Sequence, residues 1–137
     1  MNPNRWQHLP SVLALAAAPL LAGICGGALA QAAWPDKMIK LIVPFPPGSS
    51  PDLIGRALAD GLRPQLGQAM VVENKPGASG NIGNAYVARA KPDGYTLLVS
   101  YSGYHVGNPH LFKQSGWDPV KDFAPVAMMT RAPQVIA

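Results

Sequence analysis

The stretch VPFPPGSSPD (residues 43–52) separates an apolar run from a helical pattern. Upstream, MIKLIVPF (38–45) is β-branched, apolar and closed by prolines, which predicts a buried strand. Downstream, SPDLIGRALADGLRPQLG carries Leu53, Ile54, Ala57, Leu58, Gly61 and Leu62 at helical spacing. Ser50 is the expected N-cap, Pro51 the first helical residue, and Asp52 lies in the first turn. Pro64 marks a helix end or kink, and Gly67 a stop. A strand, an irregular loop and a helix in that order are the first part of a β-α-β unit.

The pattern continues. MVVEN (70–74) is a second strand, and KPGASGNIG a second glycine-rich loop. NIGNAYVARAKPDG opens a second helix with Ile82, Ala85, Tyr86 and Ala90 on one side. Lys91-Pro92-Asp93-Gly94 is a turn, and YTLLVS (95–100) a third strand. SGYHVGNPHLF reads as a loop followed by a short helix. Apolar strands are expected near 124–129 and 134–137. Strands alternating with helices predict an α/β fold with a mostly parallel sheet, flanking helices and right-handed crossovers. In such sheets ligands bind beyond the carboxyl ends of the strands. The loops at 44–52, 75–81 and 100–108 leave those ends, so they are expected to share one edge.

The 137-residue length fits one domain, and 48% apolar residues suffice for a core. The net charge of +4 comes from scattered residues, without the basic stripe that nucleic-acid binding requires. The first thirty residues have the layout of a secretory signal. Arg5 stands in a polar lead, an apolar run broken by Pro19 follows, and Ala28-Leu29-Ala30 forms a small-x-small site. Cleavage is expected after Ala30, which directs the chain to the periplasm. Cys25 has Ile24 before it, not the small residue of a lipid-anchor signal, so lipidation is not expected. The mature chain then has no thiol, and its charged residues are ten Lys and Arg against seven Asp and Glu.

Helix N-termini offer unpaired N–H groups and partial positive charge. Gly48, Ser49 and Ser50 before one helix, and Ser79, Gly80 and Asn81 before the next, can therefore hold a carboxylate or phosphate. Ordinary turn chemistry explains the same residues. GASGNIG has G-x-x-G-x-x-G spacing, not the dinucleotide fingerprint, and no Walker lysine follows the first loop. His105, after Ser102-Gly103-Tyr104, is placed to meet a ligand, and Phe45 can wall a pocket. Nothing in the spacing of His105, His110, Asp118 and Asp122 forms a metal motif. A hydrolase pairing Ser49 or Ser50 with His105 lacks the nucleophile elbow.

Five collinear blocks, WPDKMIKLIVPFPPGSSPD, VVENKPGASGNIG, AKPDGYTLLVS, GNPHLF and WDPVKDFAPVAMM, resemble the Bug proteins. These are the extracytoplasmic solute receptors of tripartite tricarboxylate transporters. The resemblance covers 34–137. It implies lobe one of a two-lobed, Venus-flytrap (type II) periplasmic binding protein, monomeric and without a cofactor or catalytic residues. On that basis 1–30 is the signal peptide and 31–125 is lobe one. Residues 126–137 begin the crossover to a second lobe. The implied ligand is a small organic acid, passed to the membrane subunits of a transporter. Its site residues are expected at Phe45, Gly48, Ser49, Ser50 and Asp52, at Ala78, Ser79, Gly80 and Asn81, and at Ser102, Gly103, Tyr104 and His105. Two features depart from the family pattern. Ser49 and Pro51 alter the usual P-P-G-G-S/T-x-D loop, and Tyr104 stands where a smaller hydroxyl residue is common. Both narrow the expected pocket, and Pro51 removes an N–H donor. A truncated receptor with half its cleft, binding weakly or not at all, is the alternative reading.

Overall fold

A computed structural model describes residues 33–131. The signal segment, Cys25, the cleavage point after Ala30 and the strand expected at 134–137 lie outside them. The element order is β1 (Ile39–Val43), α1 (Ser50–Leu66), β2 (Met70–Asn74), a 3-10 turn (Ala78–Gly80), α2 (Asn81–Ala88), β3 (Thr96–Leu98) and α3 (Ser102–Leu111). The strands form one parallel sheet in the order β2-β1-β3. Its register runs from Ile39 opposite Met70 to Val43 opposite Asn74, and from Lys40 opposite Thr96 to Ile42 opposite Leu98. The α/β expectation therefore holds. Ile39, Leu41, Ile42 and Val43 of the central strand are all buried. A parallel strand covered on both faces needs such a continuous apolar run.

α1 uses only part of the face its apolar residues suggest. Asp52, Gly55 and Ala59 are buried and Leu58, Leu62 and Leu66 partly so, whereas Leu53, Ala57 and Gly61 are exposed. Gly55 explains the rotation. A Cβ there would lie 3.3 Å from Val43 Cγ2 and 3.4 Å from Val99 Cγ2, so the helix meets the sheet through its small residues. Ser49, not Ser50, is the N-cap. Its backbone is extended, and its carbonyl accepts the Leu53 N–H at 3.0 Å. Pro64 lies inside the last turn. The helix continues to Leu66 and stops at Gly67, whose left-handed φ of 65° and N–H bond to the Arg63 carbonyl close it.

α2 turns its predicted face outward. Ile82 and Tyr86 are exposed, while Asn81, Gly83 and Asn84 are buried. Gly83 is pressed on the loop after β1, where a Cβ would lie 2.8 Å from Pro44 Cβ and 2.9 Å from the Lys75 carbonyl oxygen. Asn84 is fully buried, and neither polar atom of its side chain has a hydrogen-bond partner among the described residues. Two further expectations are corrected. The third loop is mostly helix, because α3 starts at Ser102 directly after the extended N-cap Tyr101. Residues 124–129 form no strand, since they find no strand to pair with among the described residues and stay exposed.

Candidate functional site

The crossover after β1 leads to β2 on one side, and the return crossover leads to β3 on the other. The carboxyl ends of β1 and β3 therefore border the point where the connections diverge, which is where open α/β sheets hold ligands. The loop after β1, the turn before α2 and the start of α3 all leave strand carboxyl ends.

The first loop is tied down from beneath by Asp52. Its Oδ2 accepts the Gly48 N–H at 2.8 Å and Arg56 Nε at 3.1 Å. Its Oδ1 accepts Asn74 Nδ2 at 2.8 Å and lies 3.0 Å from Arg56 Nη2. Asn74 Nδ2 also donates to the Phe45 carbonyl at 3.1 Å, and Asn74 Oδ1 accepts Arg56 Nη2 at 3.0 Å. This is the carboxylate half of a capping box, reaching one residue further back to Gly48; the reciprocal bond from the N-cap hydroxyl is absent because Ser49 bonds Pro46. The Arg56 hydrogen bond, then those of Gly48 and Asn74, hold the Asp52 carboxyl down to about 2. A depressed carboxylate stabilises the fold above its ordinary pKa and loses that contribution as pH falls through its folded value. The stability difference between the native chain and Asp52→Asn is therefore expected to be full above about pH 4 and to close as pH drops toward 2. Urea midpoints measured across that range check this, and a gap independent of pH contradicts it.

Asp52 thus shapes the loop, its oxygens occupied from within. Ser49 is likewise engaged, its hydroxyl donating to the Pro46 carbonyl at 2.7 Å. Gly48 (φ 81°) and Ser50 are exposed at the loop's outer edge. Of the first-turn amides, Pro51 supplies none, leaving those of Ser50 and Asp52.

In the second loop four successive residues have left-handed or positive φ: Gly77 118°, Ala78 48°, Ser79 52° and Gly80 79°. For Ala78 and Ser79 this costs about 1 kcal/mol each. Such a turn persists only where its surroundings fix it. Asn108 Nδ2 donates to the Ser79 carbonyl at 2.8 Å and to Asn81 Oδ1 at 2.9 Å, and Trp117 Nε1 donates to the same Asn81 oxygen at 2.9 Å. Asn81, Asn108 and Trp117 are all buried. Asn81 is accordingly a buried acceptor that supports the turn, while Ala78 and Ser79 form its exposed crest.

The third contribution is aromatic. Tyr104 stacks on Phe45 with ring centroids 4.9 Å apart and planes at 15°. Tyr101 meets Tyr104 edge-on at 5.6 Å and Phe45 at 6.3 Å. The Tyr104 ring lies directly over Gly80, where any Cβ would collide with it, and Gly103 gives way to the Tyr101 ring in the same manner. Burial raises the Tyr104 pKa, so its phenol stays a donor. Ser102 stands exposed beside this cluster.

His105 is committed to a different environment. Its ring lies edge-on to Trp117 at 5.0 Å and Phe123 at 5.1 Å, and it donates to the Pro119 carbonyl. Burial lowers its pKa and favours the neutral ring. The Ser49 hydroxyl bonds Pro46 instead of His105. Among the described residues no group of three His, Cys, Asp or Glu converges as metal ligands. Phe45, Gly80 and Tyr104 thus meet, Gly48, Ser50, Ala78, Ser79 and Ser102 are exposed on the loops around them, and Asp52, Asn81 and His105 are bonded within the fold. Sequence reasoning missed Arg56, Asn74, Asn108 and the role of Trp117. The available signal was a polar residue at each strand end or inside an otherwise apolar helix.

Residues 54–137 match the family described as the tripartite tricarboxylate transporter family receptor. The chain belongs to that family. A UPF0065 protein of Bordetella bronchiseptica is 39% identical over 131 residues, covering 96% of this chain and 38% of that protein. The solved structure of the periplasmic binding protein BugD is 43% identical with a TM-score of 0.64, covering 67% of this chain and 30% of that one. MatC from Rhodopseudomonas palustris, solved with bound malate, is 37% identical with a TM-score of 0.66, covering 69% and 32%. The chain therefore spans about a third of the length of these relatives. The family and its solved members are solute-binding receptors, not enzymes, which sets aside the Ser–His hydrolase reading.

Proposed function

We propose that this chain forms the first lobe of a periplasmic receptor that captures a small carboxylate for a tripartite tricarboxylate transporter. The observation that carries this is the shared edge. The α1 N-terminus, the left-handed turn at Gly77–Gly80 and the start of α3 lie beyond the carboxyl ends of one parallel sheet. Exposed Ser50, Ser79 and Ser102 supply amides and hydroxyls, the donors that suit a carboxylate, while the Gly48 N–H is held by Asp52 and shapes the loop. The malate bound in MatC supports that ligand class. A signal peptide cleaved after Ala30 would deliver the receptor to the periplasm, and a second lobe closing over the edge in the Venus-flytrap manner would complete the cleft. Good sites bury most of their ligand. One lobe alone is accordingly expected to bind weakly.

The test is an amide NMR titration of the chain with malate, succinate and benzoate at millimolar concentrations, the range of weak sites. Shifts centred on Ser50, Ser79 and Ser102 and reaching only their loop neighbours are expected. If no carboxylate moves these amides, or if the shifts fall elsewhere, the assignment fails.

A further inference from the structure

The geometry points to an aromatic body on the captured acid, with Tyr104 as the residue that selects it. This rests on the carboxylate reading above and narrows its substrate class. Three rings from two separate segments, Phe45, Tyr101 and Tyr104, converge at 4.9–6.3 Å beside the exposed amides. The rings pack on one another, so no slot remains between them for a cation, and the cluster is a shelf and not a cage. Tyr101 keeps 39% of its surface exposed, and Phe45 and Tyr104 are only partly buried.

The side-chain cations near this edge are already engaged. Arg56 is bonded to Asp52, and Lys75 lies 3.6 Å from Glu73 Oε2 and 4.3 Å from the Tyr86 ring centroid. His105 is held toward its neutral form. Lobe one therefore offers donors from amides and hydroxyls for the acid group, and ring surface for the rest of the molecule. A flat unsaturated ring gains offset or edge-to-face contact on such a surface, which a saturated ring of similar size does not. Tyr104 holds the shelf in place, because its ring touches Phe45, Tyr101 and Gly80 together.

The test compares benzoate with cyclohexanecarboxylate, which share the acid group and differ in aromaticity. Amide titrations of the chain are expected to show benzoate binding roughly 2- to 10-fold tighter. Tyr104→Phe keeps the ring and should keep the preference. Tyr104→Ser should abolish it, as should Phe45→Leu, which retains apolar bulk and so guards against loss of packing. Equal affinities in the native chain, or a preference unmoved by Tyr104→Ser, overturns the inference while leaving carboxylate capture standing. If neither acid nor malate moves the loop amides, carboxylate capture itself fails and this inference with it.

Discussion

Gly83→Val is expected to cost roughly 3 kcal/mol of stability, near the upper end for overpacking a close contact. For a domain of this size each kcal/mol moves Tm by about 4–8 °C, so a fall of more than about 10 °C is anticipated. The size follows from what the new side chain would meet. A Cβ on Gly83 would lie 2.8 Å from Pro44 Cβ, 2.9 Å from the Lys75 carbonyl oxygen and 3.1 Å from Pro44 Cα. Two of these are backbone atoms and the third belongs to a proline ring, so none can rotate aside. The helix must move off the loop instead, and that separates the two segments that form the proposed ligand edge. Gly61→Ala is the matched control. It lies in α1, where a Cβ would meet nothing within 4 Å, and should stabilise by about 0.5–1 kcal/mol through helix propensity alone. If Gly83→Val melts within a few degrees of the native chain, the close approach of α2 to Pro44 is not what fixes the loops.

The contrast between these glycines shows where the sequence is legible. Strands read well because β-branched runs with sharp ends leave few alternatives, and β2 coincides with its expected span at Met70–Asn74. The limits of α1 follow from Pro51 and Gly67, whose backbone preferences are local. Faces read poorly. Periodicity weights large apolar residues, yet α1 meets the sheet at Gly55 and Ala59 and α2 meets the loops after β1 and β2 at Gly83. α3 is legible only in part because Gly103, Gly107 and Pro109 argue against a helix, and tertiary contacts of Tyr104 and Asn108 override that weak prior. The polar supports of the site are hidden for another reason. Asp52 finds Asn74 22 residues away, and Asn81 finds Asn108 and Trp117 at separations of 27 and 36. Pattern reasoning within a window cannot join partners so distant. Asp52, Asn81 and His105 stand out in the sequence as polar groups at loop and helix starts, but their bonds turn inward.

Asn108→Ala is expected to cost about 2 kcal/mol, because it strips one donor from a buried acceptor, Asn81 Oδ1, and a part-buried one, the Ser79 carbonyl, at once. The Ser79 carbonyl loses its 2.8 Å side-chain partner, and Asn81 Oδ1 keeps only Trp117 Nε1. The loss falls on a turn that is already strained. With Ala78 and Ser79 both at positive φ, the turn at Gly77–Gly80 depends on its surroundings to persist, and Asn108 is the side chain that holds its crest carbonyl. Hydrogen exchange should therefore accelerate first at the Gly80 amide, which bonds the Gly77 carbonyl within the turn, before the β1–β2 ladder responds. Affinity for any carboxylate held by this turn should fall with it. Trp117→Phe removes the indole donor and part of the ring volume packed on His105 and Phe123, but leaves Asn108 on the Ser79 carbonyl, so it should lower stability without speeding exchange at Gly80. Should Asn108→Ala slow or leave unchanged exchange at Gly80 while Tm drops, the turn is stable on its own backbone. Asn108 would then serve only the packing of α3.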